Sequence, residues 1–314
     1  MAHEVFPHGH DKPLANRRGF CFLGGSMSRD VPNRMRALFA LARVSGLPTV
    51  WSNCLAGWWL GGGGNYWKLW WLFIGMSAIY FGGTFLNDAF DVEFDRQFNF
   101  KRPISSGAIS LSDALRWAWA WLALGGLCLF ADGSKAGLLG LALIFCVIVY
   151  NGLHRRLTIS PVLLGLCRFL VYQVAATAGF NGVPGRPIWF GLALGVYTVG
   201  FGFFAKRRHP REGIPRWPVA LLIFPVFFAM LANASGYRQT AMIVGLLLMA
   251  WIAVCLRPIF QMASANRRHA SAGLFAGIIL VDWLAVAPQC PQPLNVILCL
   301  LFACTIVAQR FIDR

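Results

Sequence analysis

The apolar run of residues 70–86, WWLFIGMSAIYFGGTFL, ends directly in the polar stretch NDAFDVEFD, residues 87–95. Asp88, Asp91 and Asp95 follow one another at spacings of three and four, which places their side chains on one face of a helix. Three such carboxylates repel one another unless a cation lies between them, and Mg²⁺ prefers oxygen ligands while keeping waters and phosphate oxygens in its shell. Because acidic groups at the edge of a membrane helix are costly and usually functional, the stretch predicts a metal-bridged diphosphate site at a membrane surface. The alternative is a solvated loop whose charges only end the helix.

The composition indicates an integral membrane protein. Of the 314 residues, 57% are hydrophobic and only 13% are charged, and the mean hydropathy is +0.59. A soluble domain carries roughly twice this charged fraction. The formal net charge is +16, and the basic residues cluster in particular loops. This clustering favours a topology signal and contact with anionic headgroups or phosphates, whereas no loop is long enough to build a face that binds nucleic acid.

Ten apolar runs follow one another with short polar breaks, and each is near the ~20 residues that cross a bilayer as a helix. The runs are 35–60, 67–86, 114–130, 137–153, 161–180, 188–205, 218–233, 240–256, 270–287 and 294–308. The predicted fold is therefore all-α, a polytopic membrane bundle of about nine or ten transmembrane helices around a central cavity. Residues 31–314 form this domain, and residues 1–30, which lack periodicity, are predicted to be a disordered tail.

The basic residues alternate between the two ends of the predicted helices. One set of loops carries Arg34 and Arg36; Arg96, Lys101 and Arg102; Arg155 and Arg156; Lys206, Arg207, Arg208, Arg211 and Arg216; Arg257, Arg267 and Arg268; and Arg310 and Arg314. The intervening loops carry only Lys68, Lys135, Arg186 and Arg238. By the positive-inside rule, both termini and the aspartate-rich stretch face the cytoplasm, and we expect a bacterial inner-membrane protein.

The nine cysteines do not indicate a metal site or a disulfide framework. The sequence contains no C-x-x-C pair and no metal-ligand spacing. Most of the cysteines lie inside apolar runs, where cysteine behaves as a small hydrophobic residue.

The motif N-D-x-x-D-x-x-x-D, followed by the basic loop at 101–103 and by Ser-Gly at 106–107, resembles the first aspartate-rich motif and Arg-Pro loop of the UbiA-type intramembrane prenyltransferases. This resemblance implies that the three aspartates bind Mg²⁺ and are catalytic, with Asn87 as a supporting oxygen donor. It also implies that Lys101 and Arg102 bind the diphosphate of an isoprenoid substrate.

Two further segments resemble this family. Tyr150, Arg155 and Arg156 stand where the family has a tyrosine and a basic pair after its fourth helix, and the resemblance implies that they bind substrate. Arg155 and Arg156 could equally be topology residues. His154 stands where a lysine is expected, so it could donate to phosphate or end the helix.

Arg168 corresponds to an arginine within the family's fifth helix, and it lies several residues inside an apolar run. A guanidinium there needs a partner, and diphosphate oxygens offer bidentate acceptors, so Arg168 is predicted to be catalytic. The alternative is a structural pair with an acid such as Asp91 or Asp282. Asp282 itself could be an extra ligand, an acceptor-positioning group or the partner of an arginine.

The second aspartate-rich motif of the family has no counterpart here. Residues 198–212 read TVGFGFFAKRRHPRE, with Lys206, Arg207 and Arg208 where the family places acids. One hypothesis is that this basic cluster, through Lys206 and Arg207, holds the diphosphate directly. The other is that it forms a solvated basic turn in a site that has lost catalysis.

The resemblance implies Mg²⁺-dependent transfer of a prenyl group from an isoprenoid diphosphate to a lipid-soluble acceptor, for which an aromatic compound is expected. Two alternatives stay open. The first is a terpene cyclase that uses the same ionisation site and consumes no acceptor. The second is a non-catalytic lipid carrier.

Overall fold

The computed structural model describes residues 31–98, 102–206, 216–232, 238–261 and 267–311. The predicted tail at 1–30, Lys101 and Arg207 lie outside these ranges. Every regular element within them is helical, which confirms the all-α bundle. The helices are α1 Val31–Ala42, α2 Leu47–Leu60, α3 Tyr66–Phe90, α4 Val92–Phe98, α5 Leu111–Asp132, α6 Ser134–Leu153, α7 Ser160–Thr177, α8 Gly185–Ala205, α9 Pro218–Ala232, α10 Arg238–Gln261, α11 Arg267–Val286 and α12 Gln292–Phe311. Two 3₁₀ turns, Val44–Gly46 and Ala287–Gln289, precede α2 and follow α11.

Eight helices in the described part of the chain are long and apolar enough to cross a membrane, namely α3, α5, α6, α7, α8, α10, α11 and α12. The chain is thus an integral membrane protein with multiple spans. Two of the ten predicted runs form shorter helices. The run at 218–233 gives α9, which has 15 residues, and the run at 35–60 is divided in two.

The break in the first run lies at Arg43, which adopts the left-handed conformation with φ 44° and ψ 51°. The chain then makes the 3₁₀ turn and restarts as α2, whose first turn contains Pro48, a residue suited to a helix start. Gly46 passes directly beneath Tyr80, because a Cβ at position 46 would lie 2.2 Å from the tyrosine Oη. The prediction of one continuous helix over 35–60 was therefore wrong, since an apolar run does not reveal a corner made by packing.

Glycines let the helices that support the polar stretch approach closely. A Cβ at Gly75 would lie 3.2 Å from the carbonyl oxygen of Gly125, and one at Gly82 would lie 3.0 Å from that of Ala118. Small residues at such positions let helix backbones pack in a bilayer. They fix α3 against α5 and thereby hold the end of α3.

The buried apolar side chains form two clusters. One joins α1, α3, α5 and α6, and the other joins α8 to α12. Helices α2 and α7 contribute buried side chains to both clusters. These two helices therefore connect the halves of the bundle. A cavity of about 440 Å³, lined by the end of α2, the start of α8 and the end of α11, opens at the end opposite the aspartates.

Candidate active site

The three aspartates lie where α3 passes into α4. Asp91 ends α3, yet the helical hydrogen bonding continues across it, with Asp91 N donating to Asn87 O at 3.0 Å and Asp95 N donating to Asp91 O at 2.8 Å. Asp88, Asp91 and Asp95 are all buried, with 3%, 8% and 3% of their surfaces exposed. The predicted spacing thus places three buried carboxyl groups at the end of a membrane helix.

Arginines from two distant segments bind Asp88. Arg43 Nη2 lies 2.5 Å from Asp88 Oδ1, and Arg102 Nη1 lies 2.6 Å from the same oxygen. Arg43 Nη2 also donates to Asn87 Oδ1 at 2.9 Å. Arg102 Nε lies 3.9 Å from Asp95 Oδ2, so this arginine bridges the first and third aspartates.

Asp91 is paired with the turn after α6. Arg155 Nε hydrogen bonds to Asp91 Oδ1, and His154 Nε2 lies 3.2 Å from the same atom. The Arg155 guanidinium also stacks on Phe94, with Cζ 3.8 Å from the ring centroid. Burial alone would raise the pKa of Asp91, but the hydrogen bonds from His154 and Arg155 outweigh it and lower the pKa below the ordinary range. The hydrogen bond to Asp91 raises the pKa of Arg155.

Amide and aromatic side chains join the end of α6 to the site. Asn87 Nδ2 donates to Asn151 Oδ1 at 3.2 Å, and Asn151 Nδ2 donates to the carbonyl oxygens of Val147 and Gly83 at 2.9 and 3.3 Å. The Tyr150 ring centroid lies 5.5 Å from that of His154. These contacts hold α6 against α3, so the turn that carries Arg155 faces the aspartates.

Most of the predicted site residues that the structure describes are brought together here. They are Asn87, Asp88, Asp91, Asp95, Arg102, Tyr150 and Arg155. Arg156 lies in the same turn and is exposed.

Two predicted residues have other contacts. Lys206 Nζ donates to the carbonyl oxygens of Leu157 and Thr158 at 2.6 and 3.3 Å, which ties the end of α8 to the loop between α6 and α7. Arg168 donates to Thr49 and Asn53 of α2. Within the described ranges, the hydrogen-bond acceptors found for Arg168 therefore belong to α2. Its predicted role at the diphosphate stays a prediction.

The chemistry of the aspartate cluster fits Mg²⁺, because carboxylate and amide oxygens are its preferred protein ligands. In the described residues, no three His, Cys, Asp or Glu side chains are close enough together to hold a metal ion. Instead, the cations neutralise the acids pairwise. Among the same residues, the contacts of Asp88 and Asp91 use Oδ1, which leaves Oδ2 of both groups for another ligand.

Sequence reasoning missed Arg43 and Asn151 and gave His154 no firm role. The signal for Arg43 was a single cation between Ala42 and Val44, inside an apolar run. Such an isolated charge needs a partner, just as Arg168 does.

A model of the UbiA prenyltransferase family matches residues 46–279. The chain belongs to this family. Digeranylgeranylglyceryl phosphate synthase of Ignicoccus hospitalis is 30% identical over 257 residues, which cover 70% of this chain and 82% of the relative. The family resemblance is thereby confirmed, and this UbiA-family member is a prenyltransferase rather than a non-catalytic carrier.

The fold of this UbiA-family chain is similar to that of a solved relative. A structure of digeranylgeranylglyceryl phosphate synthase is 18% identical with a TM-score of 0.60, and the alignment covers 81% of this chain and 98% of that one. A UbiA homolog from Archaeoglobus fulgidus bound to DMAPP and Mg²⁺ is 16% identical with a TM-score of 0.44, covering 89% of this chain and 99% of the homolog.

Proposed function

We propose that this UbiA-family enzyme transfers a prenyl group from an isoprenoid diphosphate to a lipid-soluble acceptor within the membrane, with Mg²⁺ as cofactor. The observation that carries the proposal is the convergence of Arg43, Arg102 and Arg155, from three separate segments, on the aspartate motif. These basic groups and acids together offer ligands for both a diphosphate and its metal ion.

The acids and the arginines have complementary roles in this proposal. Asp88, Asp91 and Asp95, with Asn87, would hold Mg²⁺, which supplies positive charge to the diphosphate when it is bound. The arginines donate to diphosphate oxygens, for which the planar guanidinium is well suited. Their charge stabilises the negative charge that develops on the leaving group.

The reaction breaks the bond between the prenyl C1 and the diphosphate oxygen, and the diphosphate takes the electron pair. A nucleophilic atom of the acceptor forms a bond to C1 and releases its proton. We expect apolar side chains around the prenyl chain to protect the allylic cation from water during this step. The basic residues at this end of the helices favour a site that faces the cytoplasm.

The Ignicoccus relative gives partial support for one class of acceptor. The 30% identical relative is named as a synthase of digeranylgeranylglyceryl phosphate, which contains a glyceryl phosphate group. This name supports a glycerolipid acceptor over the aromatic acceptor expected from the sequence. We therefore favour an isoprenoid glyceryl phosphate as the acceptor class, with a phenolic compound as the competing candidate in the test.

The test uses the full chain, purified in lipid nanodiscs, with Mg²⁺ and prenyl diphosphates of several chain lengths. Each is incubated with no acceptor, with a geranylgeranylglyceryl phosphate, or with a lipid-soluble phenol, and diphosphate release and product mass are measured. Release that requires an acceptor is expected, and the product mass identifies the acceptor. Release without an acceptor indicates cyclisation or hydrolysis instead, and no release with any acceptor would overturn the proposal. Chelation of Mg²⁺ should stop turnover, and added Mg²⁺ should restore it.

A further inference from the structure

Two oppositely charged residues, one on α7 and one on α11, lie buried between the halves of the bundle. Asp282 of α11 has no exposed surface, and Arg168 of α7 is 8% exposed. The amide of Asn53, on α2, lies between them. Its Oδ1 accepts from Arg168 Nη1 at 2.5 Å, and its Nδ2 donates to Asp282 Oδ2 at 2.6 Å. A buried charge is costly unless it is paired and hydrogen bonded, so this bridge makes the two charges one neutral unit.

Further hydrogen bonds hold each end of this unit. Asp282 accepts from Ser52 Oγ at 2.5 Å and from Tyr172 Oη at 2.7 Å. Arg168 donates to the carbonyl oxygen of Thr49 at 3.2 Å and to Thr49 Oγ1 at 3.0 Å. Thr49, Ser52 and Asn53 share one face of the first turns of α2, because they are three and four residues apart. The unit therefore fixes the start of α2.

A continuous path of hydrogen bonds leads from there to the active site. Thr49 Oγ1 donates to Gly46 O at 2.8 Å, and Gly46 N donates to Arg43 O at 2.9 Å. Tyr80 Oη donates to the same carbonyl oxygen at 2.9 Å. Arg43 is the one non-glycine residue with positive φ in the described chain, and such a conformation persists only when its surroundings impose it. Its side chain then reaches Asp88.

We infer that Thr49, Asn53, Arg168 and Asp282 form a positioning network that holds the corner at Arg43 and so places its guanidinium on Asp88. In this network the four residues act as positioning residues. Their effect on catalysis passes through Arg43, and this part of the inference rests on the proposed function.

The first test needs no substrate. Melting temperatures of the detergent-solubilised full chain are measured for Thr49→Val, Arg43→Ala and the double variant. Because Arg43 depends on Thr49 for its position, the loss caused by Arg43→Ala should be clearly smaller in the Thr49→Val background. Thr198→Val is the matched control, since Thr198 is almost as buried as Thr49, and its hydroxyl donates within its own helix, to Leu194 O.

If the losses in melting temperature caused by Thr49→Val and Arg43→Ala simply add in the double variant, the inference is overturned. It is also overturned if Thr198→Val reduces the loss caused by Arg43→Ala as much as Thr49→Val does. Thr49→Ser retains the hydroxyl and should preserve the behaviour of the wild-type chain. If Thr49→Val does not fold, the same cycle is run with Tyr172→Phe, which removes a donor to Asp282. Its matched control is Tyr197→Phe, a fully buried tyrosine that donates to Leu274 O.

The second test measures the affinity for a Mg²⁺–prenyl diphosphate complex. Thr49→Val should weaken binding about fivefold in the wild-type background, as expected for one lost hydrogen bond, and have no effect in the Arg43→Ala background. A fivefold loss in both backgrounds would show that Thr49 does not act through Arg43 and would overturn the inference. If the wild-type chain binds no prenyl diphosphate, the proposed function fails, while the melting experiment still decides whether the network positions Arg43.

Discussion

Arg102 and Asp88 lie fourteen residues apart in the sequence and are joined by a contact of 2.6 Å between Nη1 and Oδ1. The loop after α4 therefore folds back over the end of α3. The same guanidinium reaches towards Asp95, with Nε 3.9 Å from Oδ2. This arginine therefore spans the acidic motif, and in the proposed function it binds the diphosphate.

Replacing Arg102 by alanine should weaken prenyl diphosphate binding roughly tenfold to a hundredfold, because hydrogen bonds to charged groups contribute about 1.5–3 kcal/mol. The measurement is the KM for the diphosphate, or direct titration of the complex with Mg²⁺. Arg116→Ala is the matched control, since the Arg116 side chain is 79% exposed and pairs with Asp113, three residues away on the same helix. An Arg102 variant with wild-type affinity would contradict the assignment.

Asp91→Asn should lower kcat by about a hundredfold or more, because the site loses a charged oxygen ligand and the partner of Arg155. Asp113→Asn, in the first turn of α5, changes an acid outside the site and should leave turnover unchanged. Steady-state rates with saturating Mg²⁺ compare the two variants. Full turnover by Asp91→Asn would exclude the metal-binding role of this aspartate.

The contribution of Asp91 to the free energy of unfolding should decrease when the pH is lowered. Its pKa is lowered in the folded protein, so the contribution is complete above the ordinary aspartate pKa of about 4 and declines as the pH falls below it. The difference in melting temperature between the wild-type chain and Asp91→Asn should shrink as the buffer is acidified below about pH 4. A difference that grows below this pH would contradict the sign.

Lys206→Met distinguishes the two hypotheses for the basic region after α8. In the structure, Lys206 holds the loop between α6 and α7 through Leu157 O. We expect a lower melting temperature and at most a few-fold change in diphosphate affinity. A loss of affinity as large as that of Arg102→Ala, with unchanged stability, would instead show that Lys206 binds the diphosphate directly.

Asp282→Asn and Arg168→Gln should each destabilise the chain, by about 3–5 kcal/mol, because each leaves one buried charge without its counterpart. The double variant removes both charges and should be more stable than the sum of the single losses predicts. Unfolding in detergent with increasing denaturant measures this. Strict additivity would show that Asn53 does not couple the two charges.

Much of the fold could be predicted from the amino-acid sequence alone. A bilayer leaves backbone groups no water partners, so a long apolar run must be a helix, and hydropathy is a local property of the sequence. For the same reason, the runs at 67–86 and 137–153 correspond closely to α3 and α6. The acidic motif was equally readable, because the spacing of Asp88, Asp91 and Asp95 places them near one another at the end of the same helical segment, and this spacing is a local property of the sequence.

The partners of these acids required the packed bundle. Arg43 lies in an apolar run that gives no sign of a corner, and its turn depends on Gly46 fitting beneath Tyr80 of another helix. Arg168 could be recognised as a buried cation, but whether it faces diphosphate oxygens or Asn53 depends on how α7 packs against α2. Hydropathy and spacing are properties of neighbouring residues, so the sequence was enough for most of the membrane helices and for the acidic motif. Which cation meets which acid depends on contacts between distant helices, and these exist only in the folded bundle.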